Sequence, residues 1–296
     1  MRIASLSPAS TEMLFALGHG DDIVAVSHAC DFPVSAQDLP RVTYPVLPEG
    51  LEAAEIDDAV RALTEAGRGL YGLDGDRLRA LAPELIVTRG SMTAAGVSEE
   101  ELQALLTRMD PRPEVIILDP TTIGEVLGDV RTLASATDSK DAAVDLIRDA
   151  ADRIDRVRVT ARGARRVRVA ALEWLDPIRA AGLWTPQLIE YAGGDDVLGF
   201  AGEQSEPTSW EELTAMQPEV VVVMLRDSDA EQGLDEAEAF ADELAATGAR
   251  RVVAVDSAAL FSRPGARLVS GLELVAHVLH PDRFPDAAAP VLEVLL

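Results

Sequence analysis

The sequence LRALAPELIV, at residues 78–87, returns in a second form, LTAMQPEVVV, at residues 213–222. Both stretches fit L-x-A-[LM]-x-P-E-[LV]-[IV]-V, and they lie 135 residues apart. An apolar helical pattern, a proline and a β-branched run predict a helix that stops just before a buried strand. A shorter echo pairs GDDI at residues 20–23 with GDDV at residues 194–197, in the same order. Together the echoes predict two similar lobes.

Short β-rich runs alternate with longer helical patterns on either side of each repeat. Several of these runs are continuously apolar, which is typical of strands covered by helices on both faces. We therefore predict an α/β fold in which both lobes carry mostly parallel sheets. The strand candidates are residues 2–6, 23–27, 85–88, 115–118, 167–172, 220–225 and 252–255, and the helical patterns include 10–17, 76–81, 99–109 and 184–192.

The stretch between the repeats, residues 122–162, contains no proline, has few glycines and is charged throughout. It predicts one long rigid helix that joins the lobes, or two helices with a break near residues 137–139. The predicted domains are an N-terminal lobe at 1–121, the linking helix, and a C-terminal lobe at 163–296, with a ligand cleft between the lobes. The apolar residues that recur at helical spacing are Val144, Ile147, Ile154 and Val157.

Composition excludes several classes of protein. The 296 residues are 48% hydrophobic and 26% charged, which is the balance of a soluble globular protein. The formal net charge of −25 repels phosphates and anionic lipids, so nucleic acid is not an expected partner. The single cysteine, Cys30, allows no internal disulfide. There is no G-x-S-x-G, phosphate-binding glycine loop or H-E-x-x-H motif, so we predict neither an enzyme nor a bound cofactor.

The first residues of the chain indicate the cellular compartment, because a signal peptide would lie there. Residues 1–8 predict a strand and its turn, whereas a signal peptide needs a basic stretch and an apolar stretch of about 7–15 residues. No apolar run reaches the ~18 residues of a membrane span. The sequence predicts a cytoplasmic protein, or a periplasmic or cell-surface protein from which a leader was removed.

Candidate site residues follow the predicted strands, because ligands of open parallel sheets bind outside the carboxyl ends of the strands. Scarce aromatic rings at such positions suit stacking against a bulky ligand, although ordinary packing is the alternative for each ring. Arg89, Glu173 and Arg263 would give polar contacts, and Arg263 could instead only hold its own loop. The predicted ligand-binding residues are Ser7, His28, Phe32, Arg89, Glu173, Trp174, Trp184, Phe261 and Arg263.

His28 and Cys30 follow the second predicted strand. A closed zinc site needs four ligands, so a packed loop with a buried thiol is favoured over a protein metal site. A Cys–His nucleophile is less favoured still, since no third orienting group is evident. If the ligand itself carries an accessible metal, neutral His28 is the best-placed nitrogen to coordinate it. Hydrogen bonding or packing is the alternative role.

Several stretches resemble a known family. IASLSPASTE at residues 3–12, SHACDFP at 27–33, YAGGDDVLG at 191–199 and GLEL at 271–274 resemble the cobalamin-binding branch of the substrate-binding proteins that serve bacterial ABC importers, which is related to siderophore and heme binders. The resemblance implies two α/β lobes joined by a long helix, with the ligand clamped between them. It also implies that an insertion at residues 42–71 forms a wall or lid.

The resemblance fails at one place. Relatives nearest to this branch carry a C-x-x-C segment after the strand at residues 85–88, whereas residues 91–98 contain no cysteine here. Any metal or redox role of that pair is therefore not expected in this chain.

Three hypotheses for function remain open. The first is a corrinoid-binding protein, either the substrate-binding component of an ABC importer or an intracellular carrier. The second is a protein that binds a ferric siderophore or heme, for which the cleft offers mainly Arg89 and Arg263 on a strongly acidic body. The third is an enzyme that reuses the scaffold. The scarcity of cations favours cobalamin.

The resemblance also implies an ABC permease partner, because in importer relatives one acidic residue on each lobe meets arginines of the permease. Asp76 and Glu211 lie two residues before Leu78 and Leu213, so they are equivalent positions of the repeat. We predict that they begin matching helices and dock the permease. The alternative is that both are ordinary acids at helix starts, which the helix dipole favours.

Overall fold

A computed structural model describes residues 1–48, 50–51, 53–90 and 96–295. The chain divides into a first unit, Met1–Pro120 with Leu127–Ile147, and a second unit, Thr121–Val126 with Arg148–Leu296. The predicted linking segment 122–162 is thus shared between the two units. Within the described residues, no helix combines the length and the apolar character that a membrane crossing requires.

The first unit is built on a four-stranded parallel sheet in the order β2-β1-β5-β6. A separate antiparallel pair, β3 with β4, lies in the region predicted as an insertion. The strands are β1 (Ile3–Ser5), β2 (Ile23–Val26), β3 (Thr43–Pro45), β4 (Tyr71–Leu73), β5 (Leu85–Arg89) and β6 (Glu114–Leu118). The helices are α1 (Pro8–Ala16), α2 (Ala53–Glu65), α3 (Gly75–Ala80), α4 (Glu99–Leu106) and α5 (Ile123–Ala136).

The second unit has a larger, mixed sheet. Its central strands are parallel in the order β9-β7-β10-β11, and antiparallel strands β8 and β12 pair with β7 and β11. The strands are β7 (Val167–Leu175), β8 (Ile178–Ala180), β9 (Gly194–Asp196), β10 (Val220–Val223), β11 (Arg251–Val255) and β12 (Val291–Glu293). After α6 (Lys140–Ala161) come α7 (Thr185–Tyr191), α8 (Trp210–Ala215), α9 (Ala230–Ala239), α10 (Ala241–Ala246), α11 (Ser257–Leu260) and α12 (Leu268–Leu279).

The predicted α/β fold with mostly parallel sheets is confirmed, and each of the seven strand candidates is a strand. The repeat is a helix followed by a central strand in each unit: α3 with β5, and α8 with β10. Both units bury their repeat leucine completely, as Leu78 and Leu213 have no exposed surface. Each leucine belongs to the apolar core between its sheet and the helices on one face.

The link between the units is two helices, which is the second of the two predicted forms. α5 and α6 are separated at residues 137–139, where Asp138 has a φ of +56°. The predicted apolar stripe is correct for Ile154 and Val157, which are buried, but wrong for Val144, which is 60% exposed. Val144 and Ile147 lie in the first two turns of α6, before the part that packs in the second unit.

Candidate functional site

The carboxyl edge of the first unit's sheet, where its parallel strands end, begins with a group of buried hydroxyls. Thr11 Oγ1 donates to Ser5 Oγ at 2.8 Å, and Ser10 Oγ lies 2.8 Å from both Ser5 Oγ and Ser7 Oγ. Ser7 caps α1 by accepting the backbone N–H of Ser10 at 3.3 Å. The hydroxyl of this predicted site residue is therefore already engaged in holding the turn, and its contact with a ligand stays a prediction.

Cys30 belongs to the same group. Its thiol is buried, and its Sγ lies 3.1 Å from Thr11 Oγ1. This agrees with the favoured interpretation of a packed loop. Among the described residues, no three His, Cys, Asp or Glu side chains come together in a way that could hold a metal ion.

His28 is half-buried just after β2 and is held from two sides. Its Nδ1 lies 2.7 Å from Thr43 Oγ1, and its backbone N–H donates to the same oxygen at 2.9 Å. The ring of Tyr71 packs edge-on against the imidazole, with the two centroids 4.5 Å apart. Burial lowers the pKa of His28, and the charge of Arg41 lowers it further. The imidazole is thus neutral near pH 7.

Phe32 and Arg89 extend this edge. Phe32 is 44% exposed, which leaves much of its ring surface open to a ligand. Arg89 ends β5 and, with Thr88 and Asp119, lines a small cavity of about 170 Å³. Glycine at position 90 gives the Asp119 side chain its space, because a Cβ would lie 2.6 Å from the Asp119 carboxylate carbon and would displace it. The chain then enters residues 91–95, which lie outside the described residues, as does most of the segment that lacks the family's cysteine pair.

At the carboxyl edge of the second unit's sheet, Glu173 is paired with an arginine that sequence reasoning missed. Arg226 Nη2 lies 2.8 Å from Glu173 Oε1, and the Arg226 backbone N–H donates to the Glu173 carbonyl at 3.1 Å. The charge of Glu173 raises the pKa of Arg226. Next along β7, half-buried Trp174 donates its indole N–H to the Asp176 carbonyl at 2.8 Å.

Two of the predicted rings are in the interior. Trp184 and Phe261 are each only 3% exposed, and the Trp184 indole N–H donates to the Phe261 carbonyl at 2.8 Å. Packing, the alternative considered for each ring, is therefore the role that their burial supports, and contact with a ligand stays a prediction. Arg263 is half-buried in the loop between α11 and α12.

The two predicted docking acids occupy equivalent places. Asp76 and Glu211 are each the second residue of a short helix, α3 and α8, and both are exposed. Each helix leads directly into a central parallel strand, so its first turn points toward the carboxyl edge of its own sheet. Asp76 also pairs with Arg79 at 3.0 Å. The prediction that both begin matching helices is confirmed, and the docking role stays a prediction.

Sequence reasoning missed Thr43, Tyr71 and Arg226. Arg226 follows a strand candidate directly, so the same strand-end rule could have found it. Thr43 and Tyr71 lie in β3 and β4, which have three residues each and give no periodic signal.

Comparison with known proteins identifies the family. Residues 3–259 match the family model described as periplasmic binding protein. A vitamin B12-binding protein of Pectobacterium carotovorum is 24% identical over 226 residues, which cover 75% of this chain and 70% of the relative. A vitamin B12-binding protein of Vibrio parahaemolyticus is 23% identical, with 74% and 69% covered. The resemblance stated from the sequence motifs is confirmed.

Solved structures share the fold. The periplasmic vitamin B12-binding protein of Vibrio cholerae aligns with a TM-score of 0.67 and 22% identity, covering 94% of this chain and 96% of that one. A periplasmic heme-binding protein of Pseudomonas aeruginosa aligns with a TM-score of 0.73 and 18% identity, covering 100% and 98%. At these identities the likeness concerns the fold and leaves the ligand open.

Proposed function

The chain belongs to the periplasmic binding protein family, and from that premise we propose that it binds one corrinoid of the cobalamin type as the substrate-binding component of an ABC importer. The family supports the periplasmic alternative for its location over the cytoplasmic one. The proposal concerns binding without catalysis, so the ligand should be recovered chemically unchanged.

The observation that carries the proposal is that a cation beside the predicted site residue Glu173 is already paired with that acid. Arg226 at the carboxyl edge of the second unit is engaged by Glu173 at 2.8 Å. A corrinoid is a large, nearly flat ring with neutral amide side chains, so aromatic faces and hydrogen-bonding groups suffice to hold it. Heme and many ferric siderophores are anionic and favour unpaired cations. The vitamin B12-binding relatives support the same ligand class.

The direct test is titration of the purified protein with cyanocobalamin, heme and a ferric siderophore, followed by calorimetry and by visible absorbance. We expect one-to-one binding of the corrinoid and at least tenfold weaker binding of the other two. Tight binding of heme or the siderophore, with no heat and no spectral change from any corrinoid, would reverse the proposal.

Phe32 offers a sharper test within the first unit. Phe32→Ala should weaken corrinoid binding about tenfold, since a lost aromatic face costs on the order of 1–2 kcal/mol. The matched control is Tyr191→Ala. Tyr191 ends α7 directly before β9, at the opposite edge of its sheet, and its ring packs under Arg158 at 4.8 Å. Equal losses in the two variants would contradict a ligand contact for Phe32.

Heme is the second candidate. It is favoured by solved neighbours described as heme-binding proteins and by the close pair of His28 and Tyr71, since histidine and tyrosine are side-chain types that ligate heme iron in other proteins. The same titration panel decides between the candidates.

For the importer partner, we propose that Asp76 and Glu211 meet arginines of the permease. Exposure of both acids at equivalent helix starts supports this role. The double variant Asp76→Arg/Glu211→Arg should abolish complex formation with the host's corrinoid permease and leave corrinoid binding intact. An unchanged complex, or no complex with the unaltered protein, would contradict docking and favour the intracellular carrier.

A further inference from the structure

Among the described residues, Thr43 Oγ1 makes two hydrogen bonds, and both are with His28. The backbone nitrogen of His28 lies 2.9 Å away and its Nδ1 lies 2.7 Å away. Thr43 is only 6% exposed. Within the part of the chain that the structure describes, these two nitrogens are the hydrogen-bond partners of the hydroxyl.

Counting the protons on Thr43 Oγ1 and on the two His28 nitrogens shows which atom donates in the hydrogen bond between Thr43 Oγ1 and His28 Nδ1. A backbone N–H can only donate, so it occupies one lone pair of Thr43 Oγ1. The hydroxyl proton of Thr43 then needs an acceptor, and Nδ1 of His28 is the atom within reach. If Nδ1 carried the proton instead, the hydroxyl would accept twice and its own proton would be buried without a partner, which is costly.

We infer that Thr43 holds His28 as the tautomer with its proton on Nε2, so that His28 offers an N–H donor to an acceptor oxygen of the ligand and does not coordinate the ligand's metal. Thr43 is then a positioning residue. Coordination through Nε2 would require the proton to move to Nδ1 and would leave the Thr43 hydroxyl without an acceptor.

The surroundings of the ring agree with a single fixed tautomer. Burial lowers the pKa of His28, so the ring carries one proton near neutral pH. The edge-on contact with Tyr71, at an interplanar angle of 73°, restrains the imidazole plane. The ligand chemistry that fits is a carbonyl or carboxylate oxygen, such as an amide side chain of a corrinoid.

The tautomer can be measured without any ligand, by long-range proton–nitrogen correlation on protein labelled with ¹⁵N-histidine. His28 is assigned as the ring whose signals vanish in His28→Gln. We expect the unaltered protein and Thr43→Ser to show the Nε2–H tautomer alone, and Thr43→Val, which removes the hydroxyl but keeps the shape, to show both tautomers. An Nδ1–H signal in the unaltered protein would overturn the inference, whether or not the valine variant folds.

The donor role rests on the proposed function, and it is tested with aquocobalamin, whose metal has an exchangeable position. His28→Leu should weaken binding about tenfold, as expected for a lost hydrogen bond, and His28→Gln, which keeps an N–H donor, should restore most of it. The bound spectrum should be the same in the unaltered protein and the glutamine variant. A spectrum that changes only with His28 present would show coordination and overturn the role.

These outcomes separate the two claims. Failure of every corrinoid to bind contradicts the proposed function, while the tautomer measured by magnetic resonance still decides the role of Thr43. Corrinoid binding that is equally tight in His28→Leu contradicts the donor role while the proposed function stands.

Discussion

The two copies of the repeat are more alike in their backbone angles and hydrogen bonds than in their sequences. Ala82 and Gln217 both adopt positive φ, +44° and +48°, directly before a proline. The residue after that proline donates its N–H to an arginine carbonyl, Glu84 to Arg2 at 2.7 Å and Glu219 to Arg168 at 2.8 Å. Both arginines return their guanidinium to the carbonyls at the helix end. Both copies of the repeat therefore build the same backbone arrangement between helix and strand, which we call the shared frame.

Two side chains at equivalent positions of the second echo have different environments in the two units. Asp22 and Asp196 come from the second echo, but Asp22 ends a 3₁₀ turn while Asp196 lies in β9. A hydrogen bond from His19 holds the pKa of Asp22 below its usual range. Burial raises the pKa of Asp196 to about 6. Equivalence of the backbone thus does not transfer chemistry from one unit to the other, so each unit's site has to be worked out separately.

The largest expected effect tests the shared frame. Leu213→Ala should lower the free energy of unfolding by about 2–5 kcal/mol, because it leaves a cavity in a fully buried core. The three tryptophans, Trp174, Trp184 and Trp210, all belong to the second unit. Urea unfolding followed by tryptophan fluorescence therefore reports this loss directly.

Leu78→Ala is the matched variant in the first unit. It should cost a similar amount in the unfolding transition followed by circular dichroism, since Leu78 is as completely buried as Leu213. A loss below about 1 kcal/mol would show that the two leucines are not equivalent.

A smaller effect tests the difference between the two aspartates. The pKa of Asp196 is raised from 3.8 to about 6 in the folded chain, so the native state binds the proton more tightly than the unfolded state. Its contribution to stability is complete below pH 4 and is lost as the pH rises through about 6, by up to about 3 kcal/mol. Asp196→Asn should remove this fall while keeping an acceptor for the N–H groups of Leu198 and Gly199.

The measurement is the difference in unfolding free energy between each variant and the unaltered protein, from about pH 2.5 to about pH 7.5, because the contribution of Asp22 changes below the unfolded pKa of 3.8 and that of Asp196 changes above it. Asp22→Asn is the counterpart and should differ in the opposite sense, because a lowered pKa stabilises the folded state above the unfolded pKa and loses that contribution as the pH falls. Parallel curves for the two variants would contradict the opposite environments of these carboxylates.

The shared frame could be predicted from sequence because the patterns that indicate it lie within a few consecutive residues. Each buried parallel strand is a continuous apolar run, and the proline marks where a helix ends. The short strands β3, β4, β8, β9 and β12 were missed, since three residues carry too little pattern and their pairing depends on distant partners.

The site was only partly predictable. His28 and Glu173 were found because they follow predicted strands, and the same rule could have found Arg226. Thr43 lies in a three-residue strand whose place depends on pairing with β4, about 30 residues later in the chain. The indole N–H of buried Trp184 donates to a carbonyl 77 residues away along the chain, and no spacing in the sequence encodes that contact.

The smallest expected effect sharpens the shared frame at a single residue. Ala82 is exposed and has a φ of +44°, a conformation that costs an L-residue roughly 1 kcal/mol and costs glycine nothing. Ala82→Gly should therefore be neutral or stabilising by up to about 1 kcal/mol, although glycine also gains entropy in the unfolded chain. Ala80→Gly removes the same methyl group two residues earlier, at the last residue of α3, and should destabilise by about 0.5 kcal/mol. Gln217→Gly should repeat the Ala82 result in the second unit, and thermal unfolding of all three variants gives the comparison. If Ala82→Gly destabilised the protein as much as Ala80→Gly does, the left-handed residue before the proline would not be strained. The matching geometry of the two units would then follow from their hydrogen bonds alone.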